Sequence, residues 1–138
     1  MPFLSTYCNK LDKKRRVSVP ILFRSELADQ TFNGLIAFCS YKLSCIEVVP
    51  SKIVDDISAK VDVLDSLSSE NTGLISDIFA DSHMLQFDGD GRITLIKTLC
   101  DHAKLSSSVL FVGRGPTFQI WDEYVYAEYR NRVKQASI

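Results

Sequence analysis

Leu11-Asp12-Lys13-Lys14-Arg15-Arg16-Val17-Ser18-Val19-Pro20 returns 76 positions later as Phe87-Asp88-Gly89-Asp90-Gly91-Arg92-Ile93-Thr94-Leu95-Ile96. The opening Asp and the closing Arg are identical, and Leu/Phe, Val/Ile, Ser/Thr and Val/Leu keep their chemical class. Each copy reads as an apolar residue, a polar turn running from Asp to Arg, and a strand with apolar side chains at alternate positions. The chain is therefore two copies of one unit, and each copy sets a cation at the tip of a turn.

The parallel extends downstream. Ile21-Leu22-Phe23-Arg24-Ser25-Glu26-Leu27 and Lys97-Thr98-Leu99-Cys100-Asp101-His102-Ala103-Lys104-Leu105 both have the apolar spacing of a short helix. A second strand follows in each, Leu35–Phe38 and Val109–Val112, after the turn formers Asn33-Gly34 and Ser106-Ser107-Ser108. A third comes at Cys45–Val49 and Thr117–Trp121. Each copy then enters a helix. Ser51 is the expected N-cap before Ile53, Val54, Ile57, Val61 and Leu64, and Asp122 before Val125, Tyr129 and Val133. A further helix with the apolar face Leu74, Ile75, Ile78 and Phe79, capped by Asn71 or Thr72, connects the copies. These boundaries predict one compact domain over 1–138: a first repeat at 1–50, a helical bridge at 51–86, and a second repeat with a C-terminal helix at 87–138. A strand-rich unit this small leaves unpaired edges, so each copy needs the other to complete a barrel.

At 138 residues and 46% apolar composition the chain has an ordinary globular core, with no apolar run long enough to span a membrane. The first residues carry no export-signal pattern, so a cytoplasmic protein is expected. Cys8, Cys39, Cys45 and Cys100 form no CxxC pair and, with His83 and His102, no zinc spacing. They are expected as reduced thiols in core or partly buried positions, with a Cys39/Cys45 disulfide as the lesser alternative. Asp88-Gly89-Asp90-Gly91 lacks the oxygen ligands and closing Glu of a calcium loop. Neither histidine has a nucleophile signature beside it and no phosphate-binding glycine loop is present, so no catalytic residue, metal or cofactor is expected. His102 is expected as a surface or packing residue.

The net charge of −1 conceals segregation: residues 1–50 carry +3, residues 51–86 carry −5 and residues 87–138 carry +1. Lys10, Lys13, Lys14, Arg15 and Arg16 crowd five cations around the single acid Asp12. Such a patch attracts polyanions although the whole chain is slightly acidic. The bridge acids Asp55, Asp56, Asp62, Asp65, Glu70, Asp77 and Asp81 are expected on solvent or against another subunit. Asp12 and Asp88, each opening a turn, are expected to accept backbone N–H bonds and to brace the Arg four places on. The second tip keeps Arg92 but gains Asp90, which phosphate would repel unless it turns away, so the first tip is expected to dominate affinity.

The paired Asp-x-x-x-Arg turns, in register with their strands and with the Phe118-Gln119-Ile120-Trp121-Asp122 close, resemble the MraZ family of bacterial regulators. Phe3…Leu11 is similar to that family's opening strand and Cys45-Ile46-Glu47-Val48-Val49-Pro50 to its first-repeat close. The resemblance implies an α+β, mainly β fold of two AbrB-like swapped-hairpin units forming a double-split β-barrel. It also implies a sequence-specific, nucleoid-associated DNA-binding regulator of the division and cell-wall gene cluster. Such a protein would be a ring-shaped homo-oligomer engaging several short direct repeats in double-stranded DNA. Carried over by position, Arg16 and Arg92 are the motif arginines and Lys14 the motif lysine, while Lys13 and Arg15 are added phosphate contacts. Arg16 or Lys14 could reach guanine O6 and N7 in the major groove. Arg15 stands where the family usually has Gly, implying either a different turn geometry or an extra phosphate contact, and the bridge helix lacks the family's basic residues. The competing reading is a non-enzymatic interaction module, or an antitoxin-like hairpin protein, whose basic turns meet acidic protein surfaces. Such antitoxins usually carry a disordered toxin-binding tail, for which only Gln135–Ile138 is available.

Overall fold

The two copies fold by exchanging strands. The computed structural model describes residues 2–64 and 70–137, with side chains in 60–75 left out of the description. The first copy supplies β1 (Thr6–Lys10), β2 (Arg16–Ser18), α1 (Ile21–Leu27), β3 (Gly34–Cys39) and β4 (Ile46–Val49). Two helices follow, α2 (Ser51–Leu64) and α3 (Glu70–Asp81). The second copy supplies β5 (His83–Gln86), β6 (Arg92–Thr94), α4 (Lys97–Ala103), β7 (Ser108–Gly113), β8 (Phe118–Asp122) and the closing helix α5 (Glu123–Ala136).

An antiparallel six-stranded sheet runs in the order β1-β7-β8-β4-β3-β5, and β2 pairs with β6 in a separate two-stranded ladder. The opening strand of each copy thus pairs with the other copy's long strand, β1 with β7 and β5 with β3. An internal pseudo-twofold is written into the register. Val17 faces Ile93 in the β2–β6 ladder, and Glu47 faces Gln119 where β4 meets β8. The ladder lies beside both sheet edges, β2 next to β1 and β6 next to β5, and Asn9 Nδ2 donates to Ser18 O at 2.7 Å. Among the described strands no hydrogen-bonded ladder closes either seam, so the expected barrel is split rather than closed. The fold is α+β on antiparallel sheets.

Alternation explains the core. Val17, Val19, Ile93 and Leu95 turn inward and are buried with Phe23 and Leu27 of α1 and Leu99 and Ala103 of α4. Complete burial of each large side chain contributes about 1.5–3 kcal/mol. Phe3, Phe23 and Phe118 pack as a ring cluster, with centroids 4.8–5.3 Å apart. Below α5, Trp121 stacks on Tyr129 at 4.8 Å and packs on Tyr126.

Several local expectations change. β5 falls in the stretch assigned to the helical bridge; at the 76-residue offset it matches β1, with Met84 exposed like Cys8 and His83 half-buried like Tyr7. Ser51 does not cap α2 but opens it, and its N–H and hydroxyl both donate to Gln30 Oε1 at 2.8 Å. Asp122 does cap α5, accepting from Tyr124 N and Val125 N. On α5 the docked residues are Tyr126, Val125 and Tyr129, whereas Val133 is exposed. Helix α3 starts at Glu70, upstream of Asn71 and Thr72. The side chains of Val61, Asp62, Leu64, Asp65, Glu70, Asn71, Thr72, Leu74 and Ile75 lie outside the described residues. Asp55, Asp56, Asp77 and Asp81 are exposed, and Asp81 accepts from the Tyr41 hydroxyl at 2.9 Å. All four cysteines are free thiols, but Cys8 is exposed rather than partly buried. Burial pushes the Cys45 thiol up to about 12, with Glu47 beside it adding to the effect.

Candidate nucleic-acid interface

The two Asp-x-x-x-Arg turns are superimposable bond by bond. At tip one Asp12 N donates to Arg16 O at 3.0 Å and Arg15 N to Asp12 O at 3.0 Å; at tip two Asp88 N donates to Arg92 O at 2.9 Å and Gly91 N to Asp88 O at 3.1 Å. Each Asp carboxylate then organises its own turn. Asp12 Oδ1 accepts from Lys14 N and Arg16 N, and Asp12 Oδ2 from Arg16 Nε at 2.7 Å. Asp88 Oδ1 accepts from Asp90 N and Arg92 N, and Asp88 Oδ2 from Arg92 Nε at 3.0 Å. The bracing role read from the sequence is therefore what both aspartates do, and it occupies the oxygens that a cation would need.

This bracing has an electrostatic signature. Backbone N–H donation from Arg16, followed by the Arg16 side chain and Lys14 N, holds the Asp12 carboxyl below its ordinary value. Asp88 is lowered likewise, first by the N–H of Arg92. A depressed folded value means that the carboxylates brace the turns fully above the unfolded value of about 3.9. That contribution is lost as pH falls through the lowered folded values. NMR signals of the Arg16 and Arg92 Nε–H groups should hold their shifts from pH 8 to pH 5 and collapse only in stronger acid. Loss of those signals between pH 7 and pH 5 would contradict the bracing.

The ladder brings the two motif arginines to one surface. Directly opposed residues of an antiparallel pair share a face, and residues two apart along a strand do too. With Val17 and Ile93 buried at the centre, Arg16, Thr94, Ser18 and Arg92 all fall on the opposite, outward face. Arg16 and Arg92 stand two residues apart along the strands, about 7 Å. Their side chains keep 34% and 30% of their surface exposed. Lys13 and Lys14 are exposed, and no acceptor among the described residues meets either ammonium. Lys10 is drawn to Ser108 Oγ at 2.9 Å. At tip two Asp90 does not turn away: its carboxylate takes Arg92 Nη2 at 3.2 Å and offsets part of that charge.

Arg15 shows how this tip dispenses with glycine. Its φ of +62° matches the +74° of Gly91, so the replacement leaves the turn geometry unchanged and not altered as one expectation allowed. A non-glycine residue in this region costs roughly 1–2 kcal/mol. Arg15 offsets that cost by donating Nε to Leu95 O at 3.0 Å, while its own carbonyl accepts from Leu95 N at 2.8 Å. The sequence offered no motif for Arg24, yet its guanidinium lies over Gly91 of tip two, where a Cβ would meet it at 2.2–3.0 Å. The usable signal was the residue at the same 76-residue offset, Cys100, which cannot replace a guanidinium. His102 packs as expected, with Nε2 3.0 Å from Leu43 O.

This arrangement has close relatives. A protein named "Transcriptional regulator MraZ" from Pelagibacter ubique (strain HTCC1062) is 42% identical over 137 residues, covering 99% of this chain and 88% of that protein. The chain belongs to the MraZ family. A like-named protein of Rickettsia rickettsii (strain Sheila Smith) is 38% identical over 133 residues, spanning 96% of this chain and 89% of its own. Another, from Rickettsia akari (strain Hartford), is 40% identical over 119 residues, 86% of this chain and 80% of its own. The family model described as "MraZ protein, putative antitoxin-like" matches residues 78–138, which hold the second MraZ-type turn and its strands. Among the described residues no helix is long and apolar enough to cross a membrane.

Proposed function

We propose that this MraZ-family chain is a DNA-binding transcriptional regulator that acts in the bacterial cytoplasm on the nucleoid. The observation that carries the reading is the β2–β6 ladder: one exposed face holds Arg16 and Arg92, with the cationic turn 12–16 at one end. Relatives named as transcriptional regulators support it. In this reading Lys13, Lys14 and Arg15 neutralise phosphates, and Arg16 or Lys14 reaches guanine edges in the major groove. Arg92 anchors the second tip, while Asp12 and Asp88 fix the two arginines. The two repeats, 1–50 and 87–138, act as one domain joined through 51–86, so both tips meet one duplex in related orientations. Each subunit offers few contacts, so affinity rests on a ring of subunits meeting several direct repeats upstream of the division and cell-wall cluster.

Fluorescence polarisation with upstream duplexes carrying one, two or three repeats tests this. Each added repeat should raise affinity by about tenfold or more. Log K should fall linearly with log salt, by about 0.9 for each phosphate neutralised. Equal affinity for one and three repeats would refute the multivalent ring. Failure to bind any duplex, with tight binding to an acidic protein surface instead, would refute the DNA reading.

A further inference from the structure

We propose that Arg24 is a phosphate-binding residue of tip two, the functional counterpart of Arg15 at tip one. The inference rests on the DNA reading above and adds a residue outside the Asp-x-x-x-Arg motif. The pseudo-twofold equates Arg15 with Gly91, Arg24 with Cys100, and Val19 with Leu95, all at an offset of 76. The backbone confirms these equivalences across the dyad: Leu95 N donates to Arg15 O, and Val19 N donates to Gly91 O.

The side chains then complete one motif by two routes. At tip one the turn residue itself supplies the guanidinium, and Arg15 Nε donates to Leu95 O at 3.0 Å. At tip two the turn residue is glycine, and α1 supplies the guanidinium from outside the turn: Arg24 Nε donates to Val19 O, also at 3.0 Å. The space that Arg24 fills above Gly91 has small Cys100 at the matching helix position of the other copy, where Cys100 Sγ faces the same Leu95 carbonyl at 3.8 Å. Each tip therefore holds one guanidinium by its Nε on an equivalent carbonyl. Among the described residues no acceptor meets the terminal nitrogens of either. Those nitrogens form a planar fork suited to a phosphate. Tip two, which Asp90 weakens, thereby regains a cation beside Arg92.

The test uses the full chain with a fluorescent upstream duplex carrying three repeats, titrated across salt. Arg24→Ala should bind about tenfold or more weakly, with a salt slope shallower by about 0.9 for each engaged subunit. Because Arg24 also braces Val19, thermal melts accompany each variant, and the Arg24→Cys/Gly91→Arg double variant transplants tip one's arrangement into tip two. It should recover both affinity and slope, while Gly91→Arg alone should not, since its side chain collides with Arg24. A folded Arg24→Ala protein with wild-type affinity and slope overturns the inference while leaving the DNA reading standing. So does a folded double variant whose slope stays shallow. Wild-type protein that binds no duplex removes both.

Discussion

Arg16→Ala should lose most specific DNA binding while remaining folded. Arg16 lies on the outward face of the ladder, and its backbone N–H continues to donate to Asp12 Oδ1 whatever the side chain. The buried partner of that strand is Val17, which the substitution leaves untouched. A bidentate contact to guanine is worth about 1–3 kcal/mol, or roughly 5- to 150-fold per tip, and the loss multiplies over every subunit that engages a repeat. Polarisation should register at least a hundredfold weakening, with a melting temperature within a few degrees of wild type. Arg92→Ala should weaken binding less, because Asp90 already shares the Arg92 guanidinium. Wild-type affinity in a folded Arg16→Ala protein would remove Arg16 from the interface.

The elements that depend on local pattern were legible in the sequence. The bounds of α1 follow from the spacing of Phe23 and Leu27, and the 76-residue repeat fixed which strands correspond. The Asp-to-Arg bracing was equally readable, because a short acceptor side chain opening a turn has N–H groups within reach two and four residues on. What escaped was set by the exchange between copies. His83–Gln86 has no alternation strong enough to mark a strand; it becomes β5 because β3 of the first copy offers it an edge. Ser51 looked like a cap by type, but Gln30, twenty-one residues earlier, takes both its donors, an encounter that only tertiary structure creates. Arg24 carries no local mark of its place over Gly91, since nothing in the spacing of Ile21–Leu27 says that α1 reaches the other copy's turn.

Asp122→Ala should strongly destabilise the fold. The Asp122 carboxylate is almost fully buried and joins three segments. Oδ1 accepts from Ser106 N at 2.9 Å and Ser106 Oγ at 2.6 Å, and Oδ2 from Tyr124 N at 3.0 Å and Val125 N at 3.3 Å. Burial raises its pKa, but donation from Ser106 and from the N-terminal amides of α5 outweighs that and leaves it lowered. Removing the carboxylate deletes a helix cap and four charge-assisted hydrogen bonds to Ser106 and the start of α5, together about 2–4 kcal/mol. In a chain of this size that corresponds to a melting temperature lower by roughly 10 °C. The lowered pKa means this support is complete above about pH 4 and is lost as acid takes pH through the folded value. A melt shifted by less than about 2 °C would show that α5 and the Ser106 loop hold without it.

In the proposed reading duplex DNA lies on the exposed face of the β2–β6 ladder. Ser18 and Thr94 stand on that face beside the two arginines and make no side-chain hydrogen bond among the described residues, so a photo-crosslinking amino acid can replace either with little disturbance. Glu128, exposed on α5, serves as the distant control. With the full chain bound to a three-repeat upstream duplex, irradiation should join protein to DNA from positions 18 and 94 and not from position 128. Crosslinks from position 128 alone, with the duplex still bound, would place the interface elsewhere and contradict the account.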